Sequence, residues 1–81
     1  MNEGALAARF TDALIAAAQE ESSGQSALVS MAMEVIDTSE LSRVEAAVQR
    51  KTRTLLFMRA DAFAQNGARI ATASSVHKIK G

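Results

Sequence analysis

The residues with the clearest chemical potential lie near the start of the chain, in an alanine-rich segment that favours a helix. Asp12 carries a carboxylate that can act as a general base, whereas the neighbouring Thr11 hydroxyl cannot do so near neutral pH. Gly4 falls at the predicted helix start, where unpaired backbone N–H groups and the positive end of the helix dipole can stabilise negative charge. Glu3 is a further candidate, although an acid in a first helical turn is commonly explained by that same dipole.

Each of these residues also has an ordinary structural explanation. Gly4 can be a flexible entry residue, and Thr11 can pack at the edge of the core. Asp12 can be a solvated acid paired with Arg9, three residues earlier, a contact worth only about 0.2–0.5 kcal/mol. The residue types alone leave both explanations open.

A second group of candidates is the basic stretch that contains Arg50, Lys51 and Arg53. Lysine and arginine side chains bind phosphate groups through charge-assisted hydrogen bonds, and arginine can do so with two parallel bonds. The alternative is a solvated turn between two strands.

The other reactive side chains carry weaker signals. His77 is the only histidine, so without partner ligands no metal site is predicted, and we expect His77 on the surface or on an edge strand. Ser75 and the other strand serines lack a Gly-x-Ser-x-Gly context, which gives no support to serine hydrolase chemistry. Met31, Met33 and Met58 can line an apolar pocket, but core filling is the default interpretation.

Composition limits the classes of protein that this chain can represent. The chain has 81 residues, of which 48% are hydrophobic, and it has no cysteine, so disulfides and cysteine metal sites are excluded. Nine basic residues balance nine acidic ones, which argues against nucleic acid as a partner. No apolar run is long enough to span a bilayer and no signal peptide is evident, so we expect no membrane partner and a cytoplasmic location.

The periodicity of the sequence predicts one helix followed by four strands. A helix is expected over residues 2–21, with an apolar arc wide enough to be wrapped by a curved sheet, and Gly24 is placed for a left-handed cap. Alternating patterns predict strands over residues 28–35 and 43–49. We therefore expect a single α+β domain, 1–81, in which a four-stranded antiparallel sheet wraps the helix.

The third and fourth strands form the clearest predicted hairpin. Residues 54–65 are apolar in both alternating sets, which predicts a central strand covered on both faces. Asn66-Gly67 follows, and this pair favours a type I′ turn with positive φ at both residues. The last strand is expected over residues 68–78.

Two stretches carry a resemblance to a known family. The segment GALAARFTDAL, residues 4–14, looks like the start of the helix in hotdog-fold acyl-CoA thioesterases of the phenylacetyl-CoA and 4-hydroxybenzoyl-CoA type. The second stretch resembles the last hairpin of that family. It consists of the basic turn, the apolar strand, Asn66-Gly67 and ARIATAS, residues 68–74. Family members are usually longer, with a strand before the helix, so the resemblance implies a short version that lacks this leading strand.

The resemblance implies a site at the helix, with departures from the family pattern. In the family, a helix carboxylate activates water or attacks the thioester, and backbone N–H groups at the helix start polarise the thioester carbonyl. An ungapped alignment from Gly4 places Thr11 at the carboxylate position, whereas a shift of one residue places Asp12 there. The helical wheel puts Thr11 on the apolar arc and Asp12 on the polar side. The family histidine and glycine before the helix read Asn2-Glu3 here.

The resemblance also implies a function and its partners. The first hypothesis is an acyl-CoA thioesterase-like protein that hydrolyses or binds its substrate between the subunits of a homodimer or homotetramer. The basic residues 50, 51 and 53 would then bind the phosphates of coenzyme A, which enters as part of the substrate, and no separate cofactor is expected. The alternatives are a noncatalytic acyl-binding or assembly module, favoured by Thr11 at the carboxylate position, and a cystatin-like inhibitor of similar helix-on-sheet shape.

Overall fold

The computed structural model describes residues 2–80, so the two ends of the expected domain, positions 1 and 81, lie outside the described residues. One helix, α1, spans Glu3–Glu21. The four strands are β1, β2, β3 and β4, with bounds Ser26–Val35, Arg43–Lys51, Leu55–Phe63 and Arg69–Ile79. The predicted order of one helix and then four strands is confirmed.

Local interactions define both ends of α1. Asn2 is the N-cap, and its side-chain oxygen accepts a hydrogen bond from the Ala5 amide at 3.0 Å. At the other end, Ser23 and Gly24 have positive φ angles of 54° and 80°. The Gly24 amide donates to the Gln19 carbonyl at 2.7 Å, which is the long bond of a Schellman cap. The predicted left-handed end at Gly24 is therefore confirmed, with Ser23 sharing the unusual conformation.

The strands form one open sheet in the order β1-β4-β3-β2, and every neighbouring pair is antiparallel. β4 and β3 are central, and β1 and β2 are the two edges. The connection over residues 36–42 carries the chain from one edge to the other across the end of the sheet. It is held there by the Ile36 amide, which donates to the Ile70 carbonyl, and by the Ser42 amide, which donates to the Phe63 carbonyl, both at 2.8 Å.

The core lies between α1 and one face of the sheet. Side chains at i, i+4 spacing bury one stripe of the helix, namely Leu6, Phe10, Leu14 and Ala18. Facing them are side chains of β3 and β4, which include Leu56, Met58, Ala60, Ala62, Ile70, Ala71 and Ala73. The small alanines of the central strands leave room for the large helix side chains, so the helix contacts all four strands. This is the hotdog-like α+β arrangement that the sequence predicted.

Two details of the third strand correct the sequence-based expectations. The face of β3 that carries Leu56 and Met58 is buried. The opposite face, which carries Phe57 and Phe63, is only half-buried, because no second layer within residues 2–80 covers it. The expectation of a strand covered on both faces was therefore wrong.

The turn after β3 also differs in type. Gly67 has φ +88°, and among residues 2–80 Ser23 is the only non-glycine residue with positive φ, so Asn66 has negative φ. The Gly67 amide donates to the Ala64 carbonyl at 2.9 Å, and the Ala64 amide donates to Ala68, also at 2.9 Å. The hairpin is confirmed, but a three-residue loop with a type I turn and a left-handed glycine replaces the expected type I′ turn.

Candidate functional site

The start of α1 offers backbone donors in a defined geometry. The Asn2 carboxamide caps the Ala5 amide, and the Leu6 amide donates to the Asn2 carbonyl at 3.0 Å. The helical pattern leaves the amides of Glu3 and Gly4 without a carbonyl of an earlier helical turn. These two amides, at the positive end of the dipole, are the donors with which this helix can hold an oxygen that gains negative charge.

Gly4 also has a local packing role. A Cβ built at this position would lie 3.2 Å from the Asn2 side-chain oxygen, so a larger residue would push against the N-cap. Gly4 is exposed, which leaves its amide accessible to a ligand. Gly4 can therefore leave room for the N-cap and also offer an accessible backbone donor, so the structural and the functional explanations are compatible.

Thr11 lies at the margin between α1 and the edge strand β1. Its hydroxyl donates to the Ala7 carbonyl at 2.8 Å and lies 3.5 Å from the Met31 sulfur, and the side chain is half-buried. This is the position that the helical wheel predicted. Its single hydroxyl proton is used within the helix, so the Thr11 oxygen is best placed to accept, rather than to donate, a further hydrogen bond.

Asp12 is exposed, on the side of α1 away from the sheet. Within the described part of the chain no ion pair joins it to Arg9, so the expected Asp12–Arg9 contact does not form. The carboxylate is accessible to water or to a second molecule. Within residues 2–80 no other element packs over Asp12.

The three basic residues of the predicted phosphate site diverge. The Arg50 guanidinium lies over the Phe57 ring, 5.9 Å from its centroid, on the open face of the sheet. Lys51 points to the helix side, where its Nζ atom is 3.3 Å from the Glu21 carbonyl and 3.8 Å from the Glu21 carboxylate. Arg53 is exposed in the turn. The hairpin therefore presents separate cations rather than one cluster.

The structure also places this hairpin at the C-terminal end of α1, far from the helix start. Lys51 contacts Glu21, and Glu21 lies 17 residues after Gly4, which corresponds to about 26 Å along the helix. Asp12 is nearer, at about 14 Å from Glu21 along the axis. Within one chain, a ligand that touched both the helix start and the basic turn would have to be long and extended.

Sequence reasoning missed the grooves on the face of the sheet opposite α1. One groove, of 490 Å³, crosses the sheet between Glu34, Gln49, Arg59 and Thr72. A second, of 420 Å³, runs along β2 and β3 and shares Arg59. The only available signal was the mixture of polar and apolar residues on this face, which does not distinguish a solvated surface from a contact surface.

A buried polar pair in the core was also missed. His77 is 1% exposed and Ser75 is 4% exposed, and the Ser75 Oγ and His77 Nε2 atoms are 2.8 Å apart. The expectation that His77 lies on the surface or at an edge was wrong, because β4 is central and residues 71, 73, 75 and 77 share its buried face. Burial removes water from the imidazole and lowers the pKa of His77 below its usual 6.5.

Ser75 and His77 do not form the start of a hydrolase triad. Their nearest strand neighbours on the buried face are Met58 and Met31 beside Ser75, and Leu56 and Leu28 beside His77. None of these neighbours is a carboxylate that could orient the imidazole. The pair satisfies two polar groups within the core, and it contributes to stability rather than to chemistry.

Comparison with known proteins identifies the fold. No protein-family model and no curated protein sequence matches the chain. Among solved structures, a Bacillus halodurans protein determined with CoA matches over 100% of this chain and 56% of its own, with a TM-score of 0.86 and 12% identity. A hypothetical thioesterase of Streptococcus pneumoniae, in a variant with an aspartate replaced by alanine, matches over 83% of this chain and 63% of its own, with a TM-score of 0.64 and 16% identity.

A third structure, a Shewanella oneidensis protein related to the thioesterase superfamily, matches over 75% of this chain and 41% of its own, with a TM-score of 0.57 and 12% identity. The chain thus spans about half the length of these proteins. At such identities the likeness establishes the fold, which is the hotdog-like helix and sheet of thioesterase-superfamily structures. Within residues 2–80, no helix combines the length and apolar character needed to cross a membrane.

Proposed function

We propose that this chain is an acyl-CoA thioesterase-like protein that binds or hydrolyses an acyl-CoA thioester at a subunit interface. The observation that carries the proposal is the superposition of the whole chain on a structure determined with CoA, at a TM-score of 0.86. A cytoplasmic location belongs to the same proposal, because the expected substrate is a water-soluble metabolite thioester.

The proposed chemistry uses the helix start and the residues two to three turns into α1. The thioester carbonyl oxygen lies against the Glu3 and Gly4 amides, which stabilise the negative charge that develops as water adds to the carbonyl carbon. Asp12 lies eight residues after Gly4, about 12 Å along the same helix, so the carboxylate that takes a proton from that water is the Asp12 side chain of a second subunit. The carbon–sulfur bond then breaks, and the leaving thiolate takes up a proton, so the products are a carboxylic acid and a free thiol.

The subunit interface in this proposal follows from the exposure of Asp12. A carboxylate acts best as a base on a bound water molecule when its surroundings hold that water in place, and in a single chain Asp12 faces solvent. A second subunit packed along α1 would enclose the carboxylate. The same subunit could supply cations from its own basic turn, residues 50, 51 and 53, to the phosphates of CoA, which a single chain holds about 14 Å or more from Asp12 along the helix.

The second candidate function is a noncatalytic acyl-binding or assembly module. One observation favours it: the residue directed toward the sheet margin is Thr11, whose hydroxyl already donates to the Ala7 carbonyl at 2.8 Å. A threonine in place of the carboxylate leaves a site that can accept a hydrogen bond but cannot activate water.

The experiment that tests the proposal measures free thiol released from a panel of short, long and aryl acyl-CoA thioesters. Turnover by the wild type, lost in Asp12→Asn and retained in Glu20→Gln, would support hydrolysis with Asp12 as the base. Glu20 is a matched control because it is another exposed acid of α1. The absence of thiol release by folded protein, together with saturable binding of an acyl-CoA, would establish the binding module instead.

The absence of both turnover and binding across the panel would contradict the proposal as a whole. Turnover that survives Asp12→Asn would instead exclude Asp12 as the base and direct attention to Glu3, the other acid near the helix start. The thermal unfolding temperature of each variant, followed by circular dichroism, shows whether a loss of turnover reflects a loss of fold.

A further inference from the structure

The face of the sheet opposite α1 carries a pattern of side chains along β3 in which each charge is matched by the opposite charge when the strand is reversed. Phe57, Arg59, Asp61 and Phe63 alternate along this face, with the two charges at the centre and an aromatic ring on each side. Both rings are half-buried, and within residues 2–80 no second layer of helix or sheet covers them. The charge pattern is complementary to itself when the strand is reversed.

The neighbouring strands extend the same symmetry. On β2, Arg43 lies over the Phe63 ring at 4.3 Å, and Arg50 lies over the Phe57 ring at 5.9 Å. On β4, Ser74 is the strand partner of Arg59 and Thr72 is the strand partner of Asp61. The centre of the face is thus a two-by-two arrangement of a cation, an anion and two small hydroxyl side chains.

From this arrangement we propose that the open sheet face binds a second copy of this chain, with a two-fold axis that crosses β3 between Arg59 and Asp61. In such a contact, residue i of one copy meets residue j of the other and the reverse also holds. The axis places Arg59 of each copy against the partner's Asp61, Phe57 against the partner's Phe63, and Ser74 against the partner's Thr72.

The two central charged side chains of this face are exposed enough to contact a second copy. The Arg59 and Asp61 side chains are 46% and 27% exposed, and their closest atoms are 3.4 Å apart. Arg69 approaches Asp61 from β4 at 3.5 Å. Pairing across the axis would give Arg59 a second opposite charge and Asp61 a third, which offsets the cost of removing these charges from water. The same axis brings Arg43 of each copy toward the partner's Arg50, and these like charges lie at the β2 edge, where solvent screens them. Arg43 also has its own acid, Glu45, at 2.8 Å.

The size of the face is sufficient for a specific contact. Four strands spaced about 4.8 Å apart, with nine residues rising about 3.3 Å each, give a face of roughly 550 Å² in each copy. Two such faces bury roughly 1,100 Å² in total, just above the minimum of roughly 1,000 Å² for a specific interface and below the roughly 1,200–2,000 Å² of typical stable ones. The grooves of 490 and 420 Å³ that flank Arg59 would receive side chains of the second copy.

This contact is distinct from the proposed thioester site, because it uses the face of the sheet opposite α1. It holds whether or not the chain hydrolyses a thioester, and its test uses no substrate. The two proposals can therefore fail separately.

The test is a charge-reversal series followed by light scattering and sedimentation at micromolar concentration. Arg59→Asp places acid against acid across the axis, and Asp61→Arg places cation against cation, so each single variant should weaken this self-association step by about a hundredfold or more. The double variant carrying both changes exchanges the two charges and restores a complementary pair on both sides of the axis. We expect the double variant to regain the wild-type molar mass.

A matched control, Glu20→Arg, makes the same change of charge on the exposed side of α1, and it should leave this step unchanged. The double variant keeps an opposite-charge pair within the strand, so it remains informative if a single variant unfolds. Circular dichroism checks each fold. Any one of three results would overturn the proposal. The first is an equal molar mass for all five proteins, and the second is a wild type that stays monomeric. The third is a double variant that stays dissociated like the single variants.

Discussion

The buried pair of Ser75 and His77 gives the sharpest test of the structure, because removing one partner should cost more than removing both. In Ser75→Ala, the His77 ring loses its hydroxyl partner at 2.8 Å while it remains in the core. An unsatisfied buried polar group costs about 1–3 kcal/mol of the free energy of unfolding. Replacing both groups, in Ser75→Ala with His77→Leu, removes the unsatisfied atom and should cost less than Ser75→Ala alone.

The magnitude is large for a domain of this size. An 81-residue chain has a free energy of unfolding of roughly 4–12 kcal/mol, so the loss of the hydroxyl alone removes a substantial fraction. For a domain of this length, each kcal/mol corresponds to about 4–8 °C in the unfolding temperature. Urea unfolding followed by circular dichroism, on the wild type, both single variants and the double variant, gives the complete cycle.

The same pair predicts a pH dependence with a definite sign. The folded-state pKa of His77 lies below the unfolded value of 6.5, so the unfolded chain binds a proton more readily than the folded chain. Above pH 6.5 the ring is neutral in both states and contributes no slope. As the pH falls below 6.5, unfolding takes up a proton and the free energy of unfolding decreases. The decrease continues until the folded-state pKa is reached.

His77→Leu should remove this part of the pH dependence while leaving the contribution of the carboxylates. The informative quantity is the difference in the free energy of unfolding between wild type and His77→Leu, measured from pH 7.5 downward. A difference that does not change with pH would show that His77 is not held neutral in the core. A Ser75→Ala variant as stable as the wild type would refute the hydrogen bond as the reason for the pairing.

Two further predictions concern stability. Phe10→Ala removes a fully buried ring beneath the sheet and should lower the free energy of unfolding by about 3–5 kcal/mol, measured by urea titration. The control is Arg9→Ala at the exposed neighbouring position, which should change the free energy of unfolding by less than about 0.5 kcal/mol. Gly67→Ala places a Cβ at φ +88° with no atom within 4 Å of it, so the expected cost of about 1–2 kcal/mol is a backbone cost alone. A smaller loss for Gly67→Asn than for Gly67→Ala, measured by thermal unfolding, would support this assignment, since asparagine tolerates that region better.

Local helix geometry determines the direction in which the candidate base, Asp12, points. The helical wheel separated Thr11 from Asp12, and the structure confirms that Thr11 faces the sheet margin while Asp12 faces solvent. The side-chain directions follow from the 100° step of the helix, so the sequence was sufficient for them. Which residue meets a substrate depends on a second subunit, whose position is not determined by the helix.

The sequence by itself determined the secondary-structure elements of this protein. The alanine-rich segment and the Ser23-Gly24 stop define α1, the alternating patterns define the strands, and Asn66-Gly67 marks the last hairpin. These features are local, because they depend on helix propensity, on periods of 3.6 and 2, and on backbone freedom at glycine.

The tertiary structure decided what depends on neighbours distant in the sequence. Strand order placed β4 at the centre, which buried His77 and Ser75, and left the Phe57 and Phe63 face of β3 open. Periodicity shows that residues share a face, but it does not show which layer covers that face. Burial, a lowered histidine pKa and an open sheet face are consequences of packing, and packing is fixed only when the whole sheet has assembled.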